Sequence, residues 1–75
     1  METPTLAERY ERACCYENEA TREYAAACVR ARRADTKGDA TALAEATDDA
    51  EHWAAVRDKA CAEAQEAKEA IDFYD

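Results

Sequence analysis

The segment Asp35-Thr-Lys-Gly38-Asp39 contains the only glycine of this 75-residue sequence, and it decides the fold. Glycine readily adopts the left-handed conformation that ends an α-helix. On both sides of this segment the sequence is rich in alanine, glutamate and arginine, and the only proline is Pro4. The sequence therefore predicts one all-α domain made of two long helices. The predicted elements are helix 1 over about 5–34, a turn at 35–38 and helix 2 over about 39–73, within a single domain of residues 1–75.

Helix starts are indicated by capping residues. Thr3-Pro4 fits an N-cap followed by proline at the first helical position, and Thr5 with Glu8 fits a capping box two residues later. Asp39 or Thr41 can cap the second helix. Both helices are therefore expected to begin within a residue or two of these positions.

Both helices carry a heptad pattern, with small and apolar residues spaced alternately by three and four. Such spacing is typical of helices that pack along a seam. The first seam comprises Leu6, Tyr10, Ala13, Glu17, Ala20, Tyr24, Ala27, Ala31 and Ala34, and the second comprises Leu43, Ala46, Ala50, Trp53, Arg57, Ala60, Ala64, Ala67, Ile71 and Tyr74. The two seams differ in phase across Gly38, so the pattern predicts an antiparallel two-helix hairpin, an alanine-rich coiled coil.

The register follows from the position of the turn. A turn centred near residue 37 places Tyr24 opposite Ala50 and Glu17 opposite Arg57. Glu17 and Arg57 are the only charged residues in the two seams. We expect them to form an ion pair that sets the register, because a slip by one turn would leave both charges unpaired. The alternative is that both side chains extend to water.

One flank of the seam is small and nearly uncharged. Leu, Ile, Val and Phe together occupy only six of the 75 positions, which is too few for a substantial core. We therefore expect a homodimer, a four-helix bundle formed by two hairpins across this flank, or a partner in its place. The flank comprises Ala7, Cys14, Thr21, Cys28, Ala54 and Cys61.

The net charge of −8 is concentrated in the second half of the chain. A net negative protein is not expected to bind nucleic acid directly or to bind anionic membranes. It suits a protein partner with a basic surface. The simpler explanation is that the charges favour solubility. The predicted acidic docking face comprises Asp48, Asp49, Asp58, Glu63, Glu66 and Glu69.

The chemistry-bearing residues are few. The four cysteines form no Cys-x-x-Cys pair, and the start of the chain does not read as a secretory signal, so we expect a cytoplasmic protein with reduced thiols. The spacing of Cys14, Cys28 and Cys61 is too sparse to surround one metal ion. The single histidine, His52, lies on an outer helix face. No catalytic motif is present, and we expect no enzyme activity, no cofactor and no metal site.

These features predict a small, acidic, noncatalytic binding protein that docks on a larger macromolecular partner as an inhibitor or adaptor. A phage or mobile-element origin fits this description. One alternative is a self-assembling structural module whose main partner is a second copy. Another is a thiol-based metal-binding or redox protein that uses Cys14, Cys28 and Cys61.

Overall fold

The computed structural model describes residues 3–74, which form two α-helices packed against each other along an antiparallel hairpin. Helix α1 spans Leu6–Lys37 and helix α2 spans Ala40–Tyr74. The hairpin measures 54 × 25 × 13 Å, so it is a flat layer about one helix thick. The predicted all-α hairpin is confirmed. Both broad faces of this layer lack a covering element within the described part of the chain.

Each helix begins at a side-chain cap. The Oγ1 atom of Thr5 accepts a hydrogen bond from the amide of Glu8 at 3.1 Å, with Thr5 itself in an extended conformation. In α2, Oδ1 of Asp39 accepts a bond from the amide of Ala42 at 3.1 Å. Of the possible caps, the structure therefore uses Thr5 and Asp39, because these two satisfy amides that the first turn leaves without a backbone partner.

The connection between the helices is shorter than predicted. Gly38 is left-handed, with φ 72° and ψ 23°. Its amide donates to the carbonyl of Asp35 at 3.1 Å, and the amide of Asp39 donates to the carbonyl of Ala34 at 2.9 Å. This pair of bonds is the Schellman motif, which closes over the last turn of a helix. Residues 35–37 therefore belong to α1, and the connection consists of Gly38 and Asp39 alone.

The shorter connection moves the register by about one helical turn. Nη2 of Arg30 lies 3.2 Å from Oδ2 of Asp49, and the guanidinium of Arg57 lies over the ring of Tyr24. When the centre of the turn moves by about two residues along the chain, each residue faces a position about four residues further along the other helix, because both helices are displaced. Among the described residues, Glu17 and Arg57 form no ion pair. The expected pairing is therefore corrected: the register places them about one turn apart, and the guanidinium of Arg57 lies over Tyr24 instead.

The core consists of alanines. Ala20 and Ala27 are fully buried, and no larger side chain within residues 3–74 is. The large seam residues are half-exposed, and Tyr74 is 77% exposed because it lies past the level at which α1 begins. Alanine allows the helices to approach closely but removes little apolar area from water. The buried residues are Ala13, Ala20, Ala27, Ala34, Ala46, Ala60, Ala64 and Ala67.

Candidate interaction surfaces

One broad side of the hairpin combines the predicted small-residue flank with two tyrosines. Tyr10, Cys14 and Glu17 of α1 line a groove together with Cys61 of α2, and helical periodicity continues this surface along both helices. Several of its residues are half-buried, so they lie between the alanine core and the solvent. We call it the tyrosine–cysteine face, and it comprises Ala7, Tyr10, Cys14, Glu17, Thr21, Tyr24, Cys28, Ala54, Arg57 and Cys61.

The face is built on a repeat in α1. Tyr10-Glu-Arg-Ala-Cys14 recurs two heptads later as Tyr24-Ala-Ala-Ala-Cys28. In both copies the alanine directly before the cysteine is buried. The tyrosine and the cysteine are half-buried and four residues apart, on the same side of the helix. The heptad pattern assigns Tyr10 and Tyr24 only to the seam between the helices. The repeated spacing of tyrosine and cysteine is the sequence signal that places them on this surface.

Each tyrosine interacts with the cysteine four residues after it. The hydrogen bond between the Tyr10 hydroxyl and the Cys14 thiol raises the pKa of Tyr10, and the negative charge of a Cys14 thiolate raises it further. The contact with Cys28 raises the pKa of Tyr24 in the same way, whereas the nearby charge of Arg57 lowers it. The neutral phenol is favoured at both positions because it can donate to sulfur.

Arg57 and Glu17 are the half-buried charged residues of this face, and the exposed residues Lys68, Glu69 and Asp72 also line its groove. The Cζ atom of Arg57 lies 5.1 Å from the centroid of the Tyr24 ring, and its Nη2 lies 3.7 Å from Oδ1 of Asp58. The backbone carbonyl of Glu17 accepts a bond from Oγ1 of Thr21 at 2.8 Å. Within residues 3–74, the half-buried Glu17 carboxylate forms no ion pair, although Lys68 lines the same groove.

The four cysteines are free and dispersed. Cys14 and Cys28 are half-buried, and Cys15 and Cys61 are exposed. Cys14 and Cys61 line the same groove. Over residues 3–74, no group of three His, Cys, Asp or Glu side chains is arranged to hold a metal ion. His52 is exposed and packs edge-on against Trp53, with ring centroids 5.1 Å apart.

The six predicted acidic docking residues are all exposed, but they do not form one narrow stripe. Asp49 pairs with Arg30 of α1, and Glu63 and Glu66 share a groove with Arg9 and Arg12. Part of the negative charge is therefore balanced within the hairpin. Of the remaining members, Asp48 and Asp58 point away from α1 by helical periodicity, whereas Glu69 lines the same groove as Tyr10, Cys14 and Glu17.

No protein-family model, curated protein or solved structure matches this chain. Neither helix, over the residues described, has a stretch long and apolar enough to cross a membrane. The fold and its surfaces define a two-helix hairpin with an alanine core, one tyrosine–cysteine face and one strongly acidic helix.

Proposed function

We propose that this protein is a noncatalytic binding protein that docks on a basic protein surface through α2 and acts there as an inhibitor or adaptor. The observation that carries the proposal is the unequal charge of the two helices. Helix α1 has seven basic and six acidic residues, a net charge of +1, whereas α2 has three basic and nine acidic residues, a net charge of −6. A helix of this charge attracts and orients a basic partner.

Helix stability does not account for all of this charge. Acidic residues near the start of α2 favour the helix, because the amino-terminal end carries partial positive charge. Glu69 and Asp72 lie near its carboxyl end, where negative charge is unfavourable, and no basic residue occupies the last turn. Their presence costs helix stability, which supports a role outside the hairpin.

The thin architecture supports a binding role over a catalytic one. Ligand sites are usually concave pockets that enclose most of a small molecule. A layer 13 Å thick with an alanine core offers long surfaces and little enclosed volume. Such surfaces suit a macromolecular partner.

The docking proposal is tested with a deca-arginine peptide as the basic probe, measured by fluorescence anisotropy at two salt concentrations. The α2 variant Glu63→Lys/Glu66→Lys/Glu69→Lys is compared with the α1 variant Glu8→Lys/Glu11→Lys/Glu19→Lys. All six residues are exposed, and both variants change the net charge by the same amount. We expect the α2 variant to weaken binding roughly tenfold more than the α1 variant. Equal losses would show that only net charge matters and would contradict a docking face on α2.

A second candidate function is self-assembly, in which two hairpins form a four-helix bundle across the tyrosine–cysteine face. The exposed area favours it. The chain exposes 5923 Å², whereas a folded monomer of 8.4 kDa exposes about 4,600 Å². The excess of about 1,300 Å² is larger than the roughly 800 Å² that each partner contributes to a standard interface. Light scattering behind size exclusion tests this: a homodimer has twice the 8.4 kDa chain mass.

The two candidate functions use different surfaces. The tyrosine–cysteine face lies on one broad side of the layer, and Asp48 and Asp58 point outward from α2 by helical periodicity. Self-association through the first surface therefore leaves outward acidic residues available for a basic partner.

A further inference from the structure

We infer that a second copy of this chain covers the tyrosine–cysteine face with both turns at the same end, so that α1 of each copy lies on α2 of the other and Glu17 of each approaches Arg57 of the other. The inference rests on the proposed self-assembly and specifies its arrangement. It also gives a counter-ion to the half-buried Glu17 carboxylate.

The tyrosine–cysteine face is the better candidate of the two broad sides. The opposite side carries Arg9, Arg30, Asp49 and Glu63, and there Arg30 and Asp49 already form an ion pair within the hairpin. Such a charged surface is costly to dehydrate and has little to gain from a partner. The tyrosine–cysteine face presents half-buried aromatic and thiol groups that exclude more water when covered, and the charged residues that line its groove besides Glu17 are the exposed Lys68, Glu69 and Asp72.

The charges of the helices select the orientation. Two hairpins related by a twofold axis can meet with α1 on α1 and α2 on α2, or with each α1 on the other copy's α2. The first arrangement brings together two helices that each carry −6, whereas the second sets a helix of +1 against one of −6. The second arrangement therefore has the lower electrostatic cost, and it places both turns at the same end.

The position of Arg57 in α2 independently favours the same orientation of the two hairpins. Arg57 is the midpoint of α2, which spans Ala40–Tyr74. If α2 packed on α2 with full overlap, the two half-buried Arg57 side chains would meet at the twofold axis. With both turns at the same end, Arg57 instead faces α1 of the second copy between Glu17 and Tyr24, about one turn from Glu17. An arginine side chain is long enough to span that separation.

The arrangement is tested first by distance. Lys37 is exposed at the end of α1, and a spin label at Lys37→Cys, with the four native cysteines changed to alanine, reports the separation of the turns. Because packed helices are about 8–10 Å apart, we expect label separations of about 20–25 Å for turns at the same end. Separations near the 54 Å hairpin length would overturn the inference.

A second test keeps the native cysteines and uses the charges. The variants E17R and R57E each place like charges across the interface, and we expect each to weaken homodimerisation roughly tenfold. Mixed together, they form a heterodimer in which each reversed residue meets an opposite charge on the other copy, so dimer formation is restored. A mixture that dimerises no better than either variant alone overturns the contact between copies, because a pair within one chain cannot be rescued in trans.

The mass of the wild-type protein distinguishes failure of the self-assembly proposal from failure of the inferred arrangement alone. A wild-type monomer overturns the self-assembly proposal and the inference with it. A wild-type dimer with distant turns, or without rescue in the mixture, overturns only the inferred arrangement. The docking proposal for α2 has its own test, because it compares charge variants of α2 and α1 in their binding to a basic peptide.

Discussion

The guanidinium of Arg57 lies over the ring of Tyr24, with 5.1 Å between Cζ and the ring centroid. An aromatic ring attracts a cation through the negative charge of its face. Arg57 is therefore held by a neutral side chain of α1, whereas the carboxylate of Glu17 lies about one turn away. This contact connects the register of the hairpin to the composition of the tyrosine–cysteine face.

The contact between Arg57 and Tyr24 predicts an energetic coupling. In a double-mutant cycle with Arg57→Gln and Tyr24→Leu, we expect a coupling of about 0.5–1 kcal/mol in the free energy of unfolding, measured by urea at one fixed protein concentration. Tyr16→Leu is the matched control, because Tyr16 is exposed and lines a groove on the opposite side of the hairpin. Strict additivity of Arg57→Gln with Tyr24→Leu would contradict the stacking geometry.

The register predicts which residues can be cross-linked. In a background without native cysteines, we expect Arg30→Cys/Asp49→Cys to be joined within one chain by a short bismaleimide, because these positions form an ion pair. Arg30→Cys/Ala44→Cys tests the register of a turn centred near residue 37. Efficient linking of the second pair and failure of the first, measured by mass spectrometry of the monomeric band, would show that the observed register is wrong.

Gly38 is predicted to act through its backbone alone. It has φ 72°, and a Cβ atom added there meets nothing within 4 Å. We therefore expect Gly38→Ala to lower the free energy of unfolding by about 1–2 kcal/mol, the cost of a left-handed alanine. Gly38→Asn is expected to cost less, because asparagine tolerates this conformation better. Equal stability of wild type and Gly38→Ala in urea unfolding would exclude the left-handed cap.

The alanine core is predicted to reject larger side chains. Ala27 is fully buried between the helices, so Ala27→Leu should lower the free energy of unfolding by about 1–3 kcal/mol through overpacking. Its neighbour Ala26 is exposed, and Ala26→Leu should change stability by less than about 0.5 kcal/mol. Thermal and urea unfolding followed by circular dichroism distinguish the two variants. Similar effects at both positions would argue against close helix contact at Ala27.

The tyrosine–thiol contacts predict a pH dependence. Because Cys14 raises the pKa of Tyr10, Cys14→Ala should lower that pKa towards the ordinary value, whereas Cys15→Ala should leave it unchanged. Arg57→Gln should raise the pKa of Tyr24 further, since Arg57 lowers it. Titration of isotope-labelled tyrosine by nuclear magnetic resonance reads each site. A pKa of Tyr10 that rises in Cys14→Ala, or a pKa of Tyr24 that falls in Arg57→Gln, would contradict the effects assigned to Cys14 and Arg57.

The sign for stability follows from the raised pKa values. The folded state favours the neutral phenols of Tyr10 and Tyr24 more than the unfolded state does. Their contribution to stability is therefore fully present below the unfolded pKa of about 10. It is lost as the pH rises through the higher pKa of the folded state. Replacing Cys14 and Cys28 by alanine should weaken this part of the alkaline pH dependence.

Much of the local structure is readable from residue types. A single glycine before an aspartate marks the end of one helix and the cap of the next, and heptad spacing identifies Ala20 and Ala27 as seam positions. Both rules concern residues within a turn or two of one another, where backbone geometry is nearly invariant. The small-residue flank of the candidate surface is visible in the same way, and the repeated spacing of tyrosine and cysteine adds Tyr10 and Tyr24 to it.

The local residue pattern does not determine which residues of α1 face which residues of α2. Residues 35–37 are compatible with either a turn or a last helical turn, and the Schellman bonds to Gly38 and Asp39 select the helix. Because a change at the connection displaces both helices, this choice moves the facing residues by about one turn. Helix periodicity by itself therefore establishes which side of each helix is buried. Only the packed hairpin determines that Arg57 meets Tyr24 and that, within residues 3–74, Glu17 forms no ion pair.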